Sequence, residues 1–257
     1  MSHLLFILDI CTNHPSRVGV PEPNPRSQLN STTYMRIFAE SQSEAALMGI
    51  LLGMRDISLQ HFSGYHLALD MRTAIPKSFL AMYPALFSQN SLKEAITFCD
   101  LKAGSFEKSV DVGHPPKYEA LERRENVPTT INGKALASFG PTIPMRLGDI
   151  ALARSGDKGS NLNVGFFVRS TKAWEWLRVY LSSDRMIELM GEDWSEDYFL
   201  ERVEFPNIFA VHFVVYGILG RGVSSSTRLD SLGKGFADYA RDKVVQVPVS
   251  ILGLSKL

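Results

Sequence analysis

The stretch Arg146-Leu147-Gly148-Asp149-Ile150-Ala151-Leu152-Ala153-Arg154-Ser155-Gly156-Asp157-Lys158-Gly159-Ser160-Asn161-Leu162-Asn163-Val164-Gly165-Phe166-Phe167-Val168 decides the fold. It predicts a strand over 146–153, a glycine-containing turn at 155–159 and a second strand over 163–168, a hairpin by its spacing. Downstream, Trp174, Leu177 and Leu181 lie on one helical face, and a second helical piece runs from Ser182 or Ser183 to a stop at Gly191. Strands over 199–205 and 208–216 follow, then a glycine/serine-rich loop. A helix over about 235–243 carries Phe236, Tyr239, Ala240 and Lys243 at i, i+3, i+4, i+7, and residues 244–247 make a last short strand.

The order ββαββαβ contains the split βαββαβ arrangement called ferredoxin-like, with one extra N-terminal strand, so the fold class is α+β. In such a fold the helices cover one face of an antiparallel sheet and leave the other open. Strand alternation sends Phe209, Val211, Phe213 and Val215 under the helices and turns Ile208, Ala210, His212 and Val214 outward. Val164, Phe166 and Val168 likewise go to the core, which leaves Asn163 and Gly165 on the open face. His212 and Asn163 are therefore expected to share a surface, and that surface is the expected site.

Upstream the pattern is less regular. Three alternate prolines at Pro21, Pro23 and Pro25 exclude a helix, and residues 1–28 read as an irregular lead-in. Ala45-Ala46-Leu47-Met48-Gly49-Ile50-Leu51-Leu52 is apolar on nearly all sides and predicts a buried helix. Ser91 and Glu94 stand as a capping box, with Leu92, Ala95, Ile96 and Cys99 at helical spacing, so a second helix is expected over 91–99 with Cys99 in the core. Residues 100–145 are rich in charge and proline and read as a linker, which puts a domain boundary near 140 and divides the chain into 1–140 and 141–257.

Composition removes several functions. The 257 residues carry 27 Lys+Arg against 27 Asp+Glu, so there is no global positive field for nucleic acid or an anionic membrane. The two cysteines, Cys11 and Cys99, are far apart and have no ligand-spaced neighbours, which fits a reduced, soluble, cytoplasmic protein. The apolar run at residues 4–8 ends at Asp9 and is too short for a signal peptide or a span. His61 and His66 diverge by about 140° on a helix, while His114 precedes two prolines and His212 sits on a strand, so neither metal nor cofactor is expected.

Two loops could hold an anion. In the segment 154–163, Arg154 and Lys158 accompany Ser155, Asn161, Asn163 and two glycines, whose backbone amides could converge on a carboxylate or phosphate. The same residues also suit a polar hairpin loop in which Asp157 and Asn161 satisfy turn amides. The segment 220–235 offers Arg221, Ser224, Ser225, Asp230 and Lys234 ahead of a helix N-terminus. It satisfies neither the P-loop, which requires Ser or Thr where Gly235 stands, nor the dinucleotide pattern, which is broken at Ser225. Arg202 and Glu204 share a strand face and are expected to pair as scaffold, and no Gly-x-Ser-x-Gly elbow is present.

The words of 146–165, together with Ala210-Val211-His212-Phe213-Val214, Leu219-Gly220-Arg221-Gly222-Val223-Ser224-Ser225-Ser226 and Leu229-Asp230-Ser231-Leu232-Gly233-Lys234-Gly235, resemble the acyclic terpene utilisation (AtuA-like) family. The resemblance covers that family's C-terminal ferredoxin-fold domain over about 146–250. Phe62-Ser63-Gly64-Tyr65-His66, residues 69–76 and residues 83–89 resemble the end of its larger N-terminal α/β domain, which makes 1–140 a remnant of that domain plus linker. Members usually carry a much longer N-terminal region, so a short form, a fragment or the partner of a separate N-terminal catalytic subunit is expected. The resemblance implies work on terpenoid or branched acyl compounds, as acyl-CoA thioesters or carboxylates, and brings no reaction type with it. Under that implication Arg154, Ser155, Lys158, Asn161, Asn163, Arg221, Ser224, Ser225, Asp230 and Lys234 hold an anionic small-molecule substrate, while His212 and Asp157 transfer protons. The other reading is a non-catalytic module that docks onto a catalytic domain or onto a second copy of itself.

Overall fold

The structure, a computed structural model, describes residues 10–56, 70–81, 83, 85–113, 117, 119 and 135–254. His61, His66 and His114 lie outside the described residues. The chain divides into two compact units, 1–80 and 81–257.

In the first unit, β1 (Ile10–Val18) pairs antiparallel with β2 (Tyr34–Ser41), and α1 (Glu44–Asp56) and a single turn, α2 (Met71–Ala74), follow. The alternate prolines occupy the loop joining β1 to β2, where no helix forms. The irregular lead-in expected over 1–28 is replaced by β1 from residue 10, because pairing with β2 satisfies its backbone groups.

The second unit begins with a hairpin, β3 (Ala95–Asp100) and β4 (Ser105–Asp111). This overturns the helix expected over 91–99. Ile96, Thr97 and Phe98 are β-formers, and the Asp100 carboxylate accepts from the Lys102 and Ala103 amides to build a turn closed by Gly104 at φ +64°. Cys99 is consequently exposed, not buried in a core.

The ferredoxin-like part follows as β5 (Thr142–Arg146), β6 (Leu152–Lys158), β7 (Asn161–Phe167), α3 (Thr171–Tyr180), α4 (Ser183–Met190), β8 (Phe199–Phe205), β9 (Ala210–Tyr216), α5 (Phe236–Asp242) and β10 (Val244–Pro248). Four strands form one antiparallel sheet in the order β6-β7-β9-β8. Strand β9 lies between β7 and β8, and α3 and α4 cross between those two: this is the split βαβ unit. β10 pairs with β5 in a separate ladder, so the edge position beside β7 belongs to β6.

The strand expected over 146–153 is broken by a 3-10 turn at Leu147–Asp149. Leu147 is fully buried and its amide donates to Lys243 O, while Arg241 donates to the carbonyls of Ala151 and Gly148. A Cβ on Gly148 would stand 3.1 Å from Arg241 atoms, so the chain can turn there only with glycine or a small shift. The strand then runs through the residues expected to be the turn, and reversal occurs at Gly159-Ser160. Gly159 at φ +63° is the first central residue of a two-residue loop, as a type II′ hairpin requires.

Ser170 and Ser182 cap α3 and α4 through the Ala173 and Arg185 amides, and Gly191 at φ +57° ends α4. Trp174, Trp176, Leu177 and Met186 pack on Val164, Phe166, Val211, Phe213 and Val215, the inward set of β7 and β9 that alternation predicts. Phe209 departs from it. It sits at φ +53° in a tight turn before β9 and is only partly buried, stacked on Trp174 at 6.3 Å. Arg202 is also inside, 0 % exposed, and its guanidinium reaches Glu204 at 2.8 Å and the carbonyls of Leu181 and Arg178 at 2.7 Å. The expected Arg202–Glu204 pair is therefore present, and it ties β8 to the C-terminal end of α3.

Candidate functional site: a cationic cleft on the open sheet face

Cross-strand register sets the open face. Arg154, Gly165, His212 and Val203 form one row across β6, β7, β9 and β8. On one side lies the row Gly156, Asn163, Val214, Glu201; on the other, Leu152, Phe167, Ala210, Phe205. Residues directly opposite in a sheet share a face, so each row projects away from the helices.

A cleft of ≈ 390 Å³ opens on this face, lined by Arg154, Ser155, Gly156, Lys158, Asn163, Gly165, Phe167, Phe205, Ile208, Ala210, His212 and Lys234. That volume lies in the range of roughly 300–1,000 Å³ that small-molecule sites occupy. Its floor is low because Gly156, Gly165 and Ala210 carry little or no side chain. A Cβ on Gly165 would meet His212 Cδ2 at 3.6 Å. One on Gly156 would meet Lys234 Nζ at 3.1 Å. Glycine at 156 thus lets Lys234, which arrives from the loop beyond edge strand β6, lay its ammonium against the sheet.

The lining includes three permanent cations, Arg154, Lys158 and Lys234, and no carboxylate. Among the described residues Arg154 and Lys234 form no ion pair, and the Lys158 ammonium donates to the Asp157 carbonyl at 3.0 Å. Glu201 stands on the same face outside the cleft and accepts from the Tyr216 hydroxyl at 2.7 Å. His212 is half-buried between the cations and an aromatic end, with Phe205 edge-on at 6.2 Å. Like charges converging on a concave surface raise the potential there and attract an anion.

Of the residues expected at the site, Arg154, Ser155, Lys158, Asn163, Lys234 and His212 line this cleft. Ser155 is 5 % exposed and its hydroxyl serves the fold: Oγ accepts from the Ala237 amide at 2.9 Å and donates to Lys234 O. Ser155→Ala is expected to cost about 1–2 kcal/mol, as for loss of a helix cap, read as a lower urea midpoint with unchanged slope.

The remaining six lie outside the lining. Alternation turns Asp157 to the helix side, opposite core residue Leu162. Asn161 Oδ1 accepts from the Gly217 amide and the Ser160 hydroxyl. The Asp230 carboxylate accepts from the Lys234 and Gly235 amides, so an internal anion already fills that part of the 220–235 loop. Ser225 is buried and donates to Arg221 O, the Arg221 guanidinium reaches Ser225 O, and Ser224 is exposed. Gly233, at φ +60° and packed on Leu162 and Gly156, holds the loop against β6. Phe167 and Phe205 are lining residues that sequence reading missed. The period-2 pattern of β7 carried a signal for Phe167, which shares a face with Asn163 and Gly165.

Among the described residues no group of three His, Cys, Asp or Glu is arranged to hold a metal, and no helix is long and apolar enough to cross a membrane. Two stretches of the chain match family models: residues 145–246 match the AtuA ferredoxin-like domain, and residues 9–98 match the acyclic terpene utilisation family protein AtuA. Neither a curated protein nor a solved structure matches the chain.

Proposed function

We propose that this protein, whose family matches suggest acyclic terpene utilisation, holds an anionic acyl compound in the cleft on the open face of its sheet. The compound is a carboxylate or an acyl-CoA thioester. One observation carries the reading: three cations converge on a cleft whose lining contains no acid. Each cation alone would be an ordinary surface charge; together they repel one another, and a bound anion relieves that repulsion. His212, between the charged and apolar parts of the lining, is the imidazole of the cleft and the residue to which we assign proton transfer. Asp157 has no part in this reading, since it faces the helices.

Thermal unfolding in the presence of free CoA, short acyl-CoAs and geranic-type acids tests it. A ligand at one hundred times its Kd adds about 2.7 kcal/mol of stability, which raises Tm by several degrees. The expected result is a rise with at least one of these anions that Lys234→Ala abolishes. No rise with any of them overturns the reading, and a concentration-dependent dimer in the same experiment would favour the docking module instead.

A further inference from the structure

We infer, resting on that anion-binding reading, that the cleft is two-ended: its cationic end takes a carboxylate, and an apolar shelf formed by Phe167, Phe205 and Ile208 takes the hydrocarbon chain attached to it. The two ends follow from the register. Arg154 lies in one cross-strand row and Phe167, Ala210 and Phe205 lie in the next row of the same face. Rows two residues apart are separated by roughly 7 Å, so the shelf begins several carbons from the charge. Lys234, above Gly156, sits beyond Arg154 in the opposite direction. Charge and hydrophobicity are therefore segregated along the strands.

The shelf is open to solvent. Ile208 is 65 % exposed, Phe205 43 % and Phe167 38 %, and all three line the same cleft as the cations. Gly165 and Ala210 between them leave a shallow channel in which a chain would pass over His212. Inorganic phosphate, acetate and the nucleotide part of CoA can use only the cationic end. A carboxylate with an apolar tail uses both, and so is the ligand class that this surface distinguishes.

Calorimetric titration of the full chain with phosphate, acetate, hexanoate and octanoate separates the ends. Octanoate is expected to bind at least about tenfold more tightly than acetate, since each methylene buried on the shelf strengthens binding about fourfold. Ile208→Ser, at a largely exposed position, should remove most of that gain while leaving phosphate affinity unchanged. Phe205→Ala should act in the same direction. Lys234→Ala should weaken every ligand. Equal affinity for acetate and octanoate in the unaltered protein, or a chain-length gain that survives both Ile208→Ser and Phe205→Ala, overturns the two-ended site. Absence of binding by all four anions overturns the anion-binding reading beneath it.

Discussion

Glu204→Ala is expected to destabilise the protein by about 3–5 kcal/mol, the usual cost of removing one partner from a buried ion pair. The Glu204 side chain is 4 % exposed and bridges two guanidinium groups, Arg178 at 2.7 Å and Arg202 at 2.8 Å. Arg202 is fully buried, and that burial pulls its pKa below the ordinary arginine value. Without Glu204 it would remain a cation in the interior without its carboxylate, although its bonds to the carbonyls of Leu181 and Arg178 would persist. Those carbonyls belong to the last turn and C-cap of α3, so the loss should loosen the end of that helix on β8. Arg178→Ala should cost less, because Arg178 is 17 % exposed and its charge is partly solvated, although its contact over the Trp174 ring at 5.4 Å would also go. Urea unfolding of the two variants measures the difference. A Glu204→Ala variant within 1 kcal/mol of the parent, where the usual cost is about 3–5, would mean the triad is solvated.

Phe213→Ala is the second large effect, also about 3–5 kcal/mol. Phe213 is fully buried on central strand β9 and meets Phe166 edge-to-face at 6.5 Å, at the middle of the helix–sheet core. Alanine would leave a cavity that neighbouring β7 and α3 cannot collapse into without bending the sheet. Domains are stable by roughly 5–15 kcal/mol, so either variant removes a large share. Phe213 is the sequence neighbour of His212 but lies on the opposite face. Below its lowered Tm the variant should therefore still bind an anion, and a loss of binding that precedes unfolding would show that the cleft depends on core packing.

The regular elements of 161–247 were legible because each has one buried face. Val164, Phe166, Val211, Phe213 and Val215 alternate, Trp174 and Leu177 recur at helical spacing, and Ser182 and Gly191 bound α4 where its caps form. The Arg202–Glu204 pair was legible for the same reason, since alternation put both on one face. Where burial is one-sided in neither period, reading failed. The hairpin β3–β4 is exposed along most of its length, so its apolar residues obey no core, and a capping-box pattern at Ser91 and Glu94 outweighed the turn at Asp100 and Gly104.

The candidate site divides along the same line. That His212 and Asn163 would look out from one sheet face is a consequence of side-chain alternation, which is local and available from the chain alone. Which loop residues join them is not local. Asp157 and Lys158 are adjacent in sequence, yet one turns to the helices and the other lines the cleft, because β6 continues through both and the chain reverses only at Gly159. Lys234 is 76 residues beyond Lys158 and joins it in the cleft lining because Gly233 lies against Leu162 and Gly156, and Gly156 leaves room for its ammonium. Phe205 reaches the cleft through the pairing of β8 with β9, a contact between strands that no periodicity encodes. The pattern of residues thus dictated the faces, since alternation and helical period are short-range properties of the backbone. Long-range pairing and close packing, which depend on where separate segments meet, selected the cations and the apolar shelf that share the cleft.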